Sequence, residues 1–208
     1  ADVLEGSDAA LVIADEPRQA LAYAAALWFG AQPETMVAVT GTSGKTSVAT
    51  FTRQIWQALG HSACSLGTMG VQGDFEAPLA HTTPEPITLH RILAAMSDAG
   101  ITHAAMEASS HGLDQHRLDA VHLKAAAFTN FSQDHLDYHA DFAEYFSAKA
   151  LLFNRVLPED GTAVINIDDP RSVEMLDHVR ARGQSLITIG RSDGADLRIL
   201  GQRYDATG

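Results

Sequence analysis

The residues with the clearest chemical potential lie between positions 36 and 47, where the sequence is M-V-A-V-T-G-T-S-G-K-T-S. An apolar segment leads into a turn bracketed by Gly41 and Gly44, and helix-forming residues follow directly. Glycines let main-chain N–H groups approach phosphate oxygens, and the positive end of the following helix favours an anion. Lys45 supplies a charge for the β- and γ-phosphates, and Thr46 supplies a hydroxyl for Mg²⁺. The pattern predicts a phosphate-binding loop that binds a nucleotide.

The spacing of this loop departs from the common form. The pattern G-x-x-x-x-G-K-[ST] requires glycine at position 39, where this chain has Val39. We therefore interpret the loop as a shortened one. The apolar strand before it and the helix start after it are the context that a phosphate-binding loop requires.

Composition and charge exclude some classes of partner. The chain has 208 residues, of which 46% are hydrophobic and 19% charged, enough to bury one core. Its formal net charge is −12, the wrong sign for neutralising a nucleic-acid backbone, so we expect no nucleic-acid partner. A small anion complexed with a metal remains compatible with that charge, because local N–H groups can hold it.

The sequence shows no sign of a membrane or secreted protein. Acidic residues stand near the start where a secretory signal has basic ones, and the longest uncharged apolar run, residues 20–31, is too short for a bilayer. The single cysteine, Cys64, is interpreted as a small buried side chain in a reducing compartment. We expect a cytoplasmic protein, and a monomer.

Strand and helix patterns alternate along the chain. Besides the segment before the loop, strands are expected at residues 9–14, 62–67, 102–107, 124–130, 162–167 and 185–189. Helices are expected at residues 18–29, 45–59, 87–99, 142–156 and 170–182, and a long loop at residues 71–86. A further strand is expected to begin at residues 196–200, with nothing to pair against. This order predicts an α/β fold, with a mainly parallel sheet flanked by helices on both faces.

Polar residues follow the predicted strands at their ends. They fall in three groups, residues 41–46, 107–110 and 130–135. In such sheets ligands bind at the carboxyl ends of the strands, so the three groups are expected to meet there. On this ground Asn130 is assigned to the nucleotide site.

Two of these residues allow a structural interpretation as well as a chemical one. Glu107 could complete a shell of oxygens around Mg²⁺ near the phosphates, or it could be an exposed cap of the helix that begins at Ser109 or Ser110. His135 has His139 four residues later, a spacing compatible with a transition metal. No Glu or Cys at ligand spacing supports zinc, and most such pairs are surface histidines.

Two further features are open in the same way. Lys149 lies on a predicted helix, where a lysine is ordinarily solvated. The run H-T-T-P-E-P at residues 81–86 reads as a stiff turn when taken alone.

Taken together, five ordered motifs resemble the central ATPase domain of the Mur ligase family. The motifs are V-T-G-T-S-G-K-T, H-T-T-P-E-P, M-E-A-S-S-H-G-L-D-Q-H-R, F-T-N-F-S-Q-D-H-L-D-Y-H and Y-F-S-A-K-A-L-L-F. The similarity covers nearly the whole chain from about residue 17. Ser43 departs from the family's usual asparagine and keeps a polar side chain.

The resemblance implies a role for each matched position. Gly41, Thr42, Ser43, Gly44, Lys45 and Thr46 would hold the ATP phosphates. Thr46 and Glu107 would bind a first Mg²⁺, and His135 a second. The substrate UDP-muramoyl-dipeptide would be held by Thr82, Thr83, Ser109, Gln115 and Arg117. Lys149 matches a lysine that the family carries as an N-carboxylated side chain, so CO₂ would turn this cation into an anionic metal ligand.

The resemblance also implies a domain organisation and a reaction. Residues 1–16 would be the tail of a missing amino-terminal UDP-binding domain or a linker. Residues 17–208 would be the central ATP-binding domain, truncated at its end, with the carboxyl-terminal ligase domain absent. The reaction implied is the ATP-dependent addition of the third amino acid to UDP-N-acetylmuramoyl-L-alanyl-D-glutamate, with meso-diaminopimelate and L-lysine both open. We expect the isolated 208-residue chain to be inactive.

Two other functions remain open at this stage. One is a related ligase that adds another amino acid, or glutamate to folate. The other is a nucleotide-binding relative without catalysis. A relative that had lost catalysis would be expected to lack at least one of the site residues. This chain has all five: Lys45, Thr46, Glu107, His135 and Lys149.

Overall fold

The computed structural model describes residues 10–132 and 138–202. Six α-helices lie within these residues: α1 (Pro17–Phe29), α2 (Lys45–Ala58), α3 (Pro86–Asp98), α4 (Ser110–Asp114), α5 (Phe142–Leu151) and α6 (Ser172–Ala181). A π-helical turn, Leu152–Val156, continues α5. The strands are β1 (Thr35–Thr40), β2 (Ala63–Gly67), β3 (Gly70–Gly73), β4 (His103–Glu107), β5 (Leu123–Phe128), β6 (Thr162–Asn166), β7 (Ser185–Gly190) and β8 (Leu197–Arg198).

The strands form one sheet in the order β3-β2-β4-β1-β5-β6-β7-β8. Every neighbouring pair is parallel except β2 and β3, which form an antiparallel hairpin. The strand β1 that precedes the phosphate loop lies between β4 and β5, in the middle of the sheet. The ends of these three strands therefore lie side by side, as expected from the sequence.

The two faces of the sheet are covered unequally. On one face, Met36 and Ala38 of β1 belong to a large buried cluster that includes Leu89 and Leu93 of α3 and Phe146 of α5. Burying one such leucine or methionine stabilises the fold by about 1.5–3 kcal/mol. Because side chains alternate along a strand, the intervening residues of β1 lie on the other face.

On that second face, α2 packs against β1, β2 and β4. Its buried cluster contains only Val39, Ala49 and Ala105. An apolar cavity of about 230 Å³ lies there beside α2. On the outer side of α2, Phe51 and Ile55 are each 60% exposed. The described part of the chain thus leaves an apolar surface open on this face.

The ends of two helices show how the sequence sets their limits. Pro17 occupies the first turn of α1, where its missing N–H costs nothing, and Gly30 ends that helix at φ 77°. Glu85 caps α3 by accepting hydrogen bonds from the main-chain N–H groups of Ile87 and Thr88, both at 2.8 Å. The run H-T-T-P-E-P therefore leads directly into α3, which begins at Pro86, and the stiffness expected of it as a turn stays a prediction.

Most predicted elements are confirmed, and three expectations are wrong. The strand expected at residues 9–14 is absent from the described part, residues 10–14, where Val12 and Ile13 are exposed. The long loop expected from residue 71 begins only after β3. The last segment has a partner after all, because Leu197 and Arg198 pair with Ile189 and Gly190 of β7.

Cys64 is buried and free, as expected from the sequence. Burial raises the pKa of its thiol, and this effect outweighs a hydrogen bond from the main chain of Phe75, which lowers the pKa. No helix among the described residues is both long enough and apolar enough to span a bilayer.

Candidate active site

The phosphate loop joins the end of β1 to the start of α2. Gly44 has φ 87°, in the left-handed region that favours glycine. At Gly41, a side chain would place its Cβ 2.0 Å from Thr129 Oγ1, so only glycine fits against the end of β5. No side chain caps the N-terminus of α2 in the described structure. The N–H groups of its first turn are thus available to an anion.

Lys45 lies over this loop. Its Nζ donates hydrogen bonds to the main-chain oxygens of Gly41 at 2.9 Å and Thr42 at 3.0 Å. The ammonium group is therefore held beside the loop that would bind phosphate.

Lys149 reaches the same loop from α5. Its side chain is only 1% exposed, and its Nζ donates to the oxygen of Gly41 at 2.9 Å and lies 4.3 Å from the centre of the Tyr145 ring. The interpretation of Lys149 as a solvated surface residue is therefore wrong. Two ammonium groups share one carbonyl oxygen here, so they lie no more than twice that bond length apart.

Glu107 ends β4 and is 2% exposed. Its Oε1 accepts hydrogen bonds from Thr46 Oγ1 at 3.0 Å and from the N–H of Thr68 at 2.9 Å. Gly67 makes room for it, since a Cβ there would come within 1.9 Å of Glu107 Oε1. The alternative role as an exposed helix cap is wrong, because Ser109 caps α4 through a 3.0 Å hydrogen bond from the N–H of Gly112.

The donor atoms of Thr46 and Glu107 fit a hard divalent cation. A hydroxyl and a carboxylate, both oxygen donors, already lie 3.0 Å apart. Mg²⁺ is commonly held by one or two carboxylates, a hydroxyl and phosphate oxygens. The described residues contain no group of three or more His, Cys, Asp or Glu arranged around one point, so the pair would need the phosphates and water to complete the shell.

The predicted substrate residues border the same cavity as the phosphate loop. This cavity, of about 550 Å³, is lined by residues of both sets and by three others, Thr68, His81 and His111. The predicted residues in its wall are Thr42, Gly44, Lys45, Thr46, Thr82, Thr83, Glu107, Ser109 and Arg117. Another cavity, of about 530 Å³, lies at the amino ends of β5 and β6 and contains none of the predicted site residues. The chemistry predicted from the sequence therefore converges on the first cavity.

Several of these residues also hold one another in place. Thr83 is 1% exposed, and its Oγ1 donates to the oxygen of Glu107 at 2.9 Å while accepting from the N–H of Ser109 at 3.0 Å. Arg117 donates from Nη1 to the oxygen of Thr83 at 2.8 Å and from Nη2 to Gln115 Oε1 at 2.7 Å. Thr83 thus ties the loop at residues 81–86 to the end of β4.

Thr82 and Gln115 have different surroundings. The hydroxyl of Thr82 is 3.1 Å from that of Thr68, which itself lies 3.4 Å from Glu107 Oε2. Gln115 lies off the cavity wall, where its Nε2 donates to Tyr138 Oη at 3.0 Å. Thr68 and Tyr138 were not predicted from the sequence, since each is placed by tertiary packing.

Asn130 contacts the main chain of the phosphate loop. Its Oδ1 accepts from the N–H of Ser43 at 2.9 Å, and its Nδ2 donates to the oxygen of Ser43 at 3.1 Å. Thr129, which was not predicted as a site residue, donates from Oγ1 to the same oxygen at 2.7 Å. The only sequence signal for Thr129 is its place beside Asn130 at a strand end.

His135 lies outside the described residues, so its predicted metal contact and its pairing with His139 stay predictions. His139 itself is 1% exposed, and its ring lies 5.3 Å from that of Tyr145. It is therefore not a surface histidine.

Comparison with known proteins identifies the family of this chain. The family described as Mur ligase middle domain matches residues 39–208. The chain belongs to the Mur ligase family. The resemblance inferred from the five motifs and the predicted α/β fold are both confirmed.

Individual relatives of this Mur ligase domain are longer proteins. The chain is 53% identical over 178 residues to the UDP-N-acetylmuramoyl-L-alanyl-D-glutamate--2,6-diaminopimelate ligase of Mesorhizobium japonicum, covering 85% of this chain and 37% of that protein. A solved structure of a ligase with the same name has a TM-score of 0.78 at 30% identity, covering 89% of this chain and 39% of the other. The chain thus spans about two fifths of the length of these relatives.

A more distant relative shares the fold alone. The folylpolyglutamate synthase of Mycobacterium tuberculosis, solved with ADP, matches this Mur ligase domain with a TM-score of 0.66 at 20% identity, covering 83% of this chain and 46% of the other.

Proposed function

We propose that this chain is the ATP-binding part of a ligase that joins 2,6-diaminopimelate to UDP-N-acetylmuramoyl-L-alanyl-D-glutamate in the cytoplasm. The observation that carries the proposal is the shared cavity, in which the phosphate loop faces Thr82, Ser109 and Arg117. A ligase of this kind must bring the ATP phosphates and an acceptor carboxylate together. The sequence left the amine open, and the names of the relatives favour diaminopimelate over lysine.

In this proposal the acceptor carboxylate attacks the γ-phosphorus of ATP. The bond between the γ-phosphorus and the β–γ bridging oxygen breaks, so that ADP leaves and an acyl phosphate forms. The amine then attacks the acyl carbon, and phosphate leaves as the amide forms and the amine gives up a proton. The barrier to the first step is largely electrostatic, because one anion approaches another. Lys45 would lower it by holding positive charge at the phosphates, and Arg117 and Ser109 would orient the acceptor. None of the described side chains needs to form a covalent bond with substrate.

Thr46 and Glu107 would hold a first Mg²⁺, and His135 is the predicted ligand of a second. When bound, the ion would screen the negative charges of the phosphates and align them. The protein's own part is to keep the Glu107 carboxylate buried and aimed at Thr46, which the hydrogen bond from the N–H of Thr68 supports.

We further propose that Lys149 is carbamylated in the active enzyme. Its ammonium shares the Gly41 oxygen with that of Lys45, and it also makes a cation–π contact with the Tyr145 ring. The side chain of Lys149 is 1% exposed, so a carbamate formed there would be shielded from water. A carbamate there would replace the repulsion between two cations by an attraction to Lys45.

The alternatives have less support. The folate ligase shares only the fold, at 20% identity, and this similarity does not indicate that the present chain acts on folate. The proposal of a relative without catalysis is opposed by Lys45, Thr46, Glu107 and Lys149, which converge in the structure.

The test is ADP release with UDP-muramoyl-dipeptide plus diaminopimelate, L-lysine, or neither, and with a folate plus glutamate. It is applied to the 208-residue chain and to any longer product of the gene. Release that depends on the muramoyl-dipeptide and diaminopimelate together is expected of the longer product. Release that depends on folate and glutamate instead would overturn the proposal.

A further inference from the structure

Three hydrogen bonds hold the main chain of Ser43 from the end of β5. Asn130 accepts from the N–H and donates to the C=O of this one residue, and Thr129 Oγ1 donates to the same C=O. The main chains are joined as well, because the N–H of Thr42 donates to the oxygen of Asn130 at 2.9 Å. The loop is therefore fastened to residues 129–130 at two successive positions.

The orientation of the Asn130 amide follows from these partners. Oδ1 faces an N–H, and Nδ2 faces a carbonyl oxygen. Turning the amide over would set donor against donor and acceptor against acceptor. Both polar atoms of the side chain are thus engaged by the loop.

Fixing the oxygen of Ser43 also fixes the N–H of Gly44. The two belong to one planar trans peptide unit, in which C=O and N–H point in opposite directions. Since the C=O points at Thr129 and Asn130, the N–H of Gly44 points away from the end of β5. Gly44 has φ 87° and lines the cavity with Lys45 and Thr46.

The N–H of Ser43 is already used by Asn130, so it is not a phosphate donor in this arrangement. The main-chain donors left for a phosphate are the N–H groups of Gly44 and of the uncapped first turn of α2. A phosphate site of this kind depends on the direction of one peptide unit, which Asn130 and Thr129 set.

We propose, resting on the nucleotide-binding role above, that Asn130 and Thr129 are positioning residues of the phosphate loop. They aim the N–H of Gly44 at the polyphosphate and do not recognise the base or the ribose. Their contribution is therefore made to any ligand that carries the polyphosphate, whatever is attached to it.

The experiment compares Mg-ATP with Mg-tripolyphosphate, which has neither base nor ribose. Calorimetry or NMR titration measures both affinities for the unchanged chain and for Asn130→Ala, Thr129→Val and Thr129→Ser. Asn130→Ala should weaken both ligands by the same factor, about tenfold or more, because hydrogen bonds of this kind are lost from the loop. Thr129→Val should weaken both less, and Thr129→Ser, which keeps the hydroxyl, should restore the affinity.

Gln184→Ala is the control for loss of stability alone. Gln184 is buried and donates to the oxygens of Phe153 and Leu157, away from the cavity, so its loss should lower the melting temperature and leave both affinities unchanged. If Asn130→Ala weakens ATP but not tripolyphosphate, Asn130 contacts the nucleoside and the inference is wrong. If it weakens neither, the inference is also wrong while the nucleotide site stands. If the unchanged chain binds neither ligand, the phosphate-loop assignment fails and the inference fails with it.

Discussion

The ammonium groups of Lys45 and Lys149 donate to the same main-chain oxygen, that of Gly41, each at 2.9 Å. One lysine comes from the helix after the loop and the other from a helix on the opposite face of the sheet. The phosphate loop is thus held from both sides through one carbonyl group. A substitution of either lysine is therefore expected to change the electrostatic potential at the ammonium group of the other.

Lys45→Ala is expected to remove most of the affinity for Mg-ATP. The loss of one charge-assisted contact should cost on the order of 1.5–3 kcal/mol of binding free energy. Calorimetric titration of both forms measures this. Lys124→Ala, which removes an exposed lysine of β5, is the matched control and should bind as the unchanged chain does. Equal affinities of the Lys45 variant and the unchanged chain would contradict the loop assignment.

Lys149→Ala is expected to leave the active enzyme nearly inactive and open to rescue by short-chain carboxylates. Such an anion can occupy the position of the lost carbamate. ADP release is measured against carboxylate concentration, and Lys45→Ala should show no rescue. Independently, ¹³C-labelled bicarbonate should give a carbamate NMR signal in the unchanged protein that Lys149→Ala lacks. Full activity of the alanine variant without carboxylate would refute the role.

Glu107→Gln is expected to lower the Mg²⁺ dependence of ATP binding with little loss of fold, since the amide oxygen can still accept from the N–H of Thr68. Removing the negative charge weakens a hard cation site directly. Gly67→Ala should act in the same direction by displacing the carboxylate. Gly194→Ala is its control, because a Cβ there meets only Ile167, at 3.9 Å. ATP affinity is measured with and without Mg²⁺, and an unchanged ratio in Glu107→Gln would exclude Glu107 as a ligand.

Stability is expected to fall below about pH 6.5 because of two histidines. Burial lowers the pKa of His90, although a hydrogen bond to the oxygen of Asp119 raises it. Burial also lowers the pKa of His103, and the neighbouring, stacked His61 lowers it further. Between these lowered values and the ordinary value the unfolded chain binds more protons than the folded one. The free energy of unfolding therefore rises with pH across that interval. Above it, the two neutral histidines make their full contribution to stability.

Urea unfolding at several pH values tests this expectation. The double variant His90→Gln, His103→Gln should show a flatter dependence than the unchanged chain. Equal slopes for the two proteins would place the acid sensitivity in other groups.

Much of the fold could be predicted from the sequence because its local signals agree with its tertiary structure. Pro17 and Gly30 bracket α1, and the apolar strands alternate with helices of ordinary length. β3 was missed because Gly70 and Gly73 flank only two other residues, which looks like a turn until it pairs with β2. The pairing of β8 with β7 covers two residues and depends on a loop that brings them together.

The site could be predicted as a set of residues but not as a set of contacts. The rule that ligands bind at strand ends placed Lys45, Glu107 and Asn130 at one edge of the sheet. It could not show that Thr83 would be buried with both hydrogen-bonding roles of its hydroxyl in use. Such contacts arise from packing between segments distant in sequence, which spacing alone does not encode.

Because the two sheet faces are covered unequally, local opening of α2 is expected to depend on whether a ligand is bound at its N-terminus. α2 buries only Ala49, whereas α3 buries six residues. Local opening of α2 should therefore need less free energy, and its amide hydrogens should exchange with solvent sooner than those of α3. A ligand that binds only the closed helix suppresses this opening by mass action. The rate of amide hydrogen exchange along α2 would then show whether the phosphate loop is occupied. Even amides several helical turns from the loop would slow down, and the ligand would need no label.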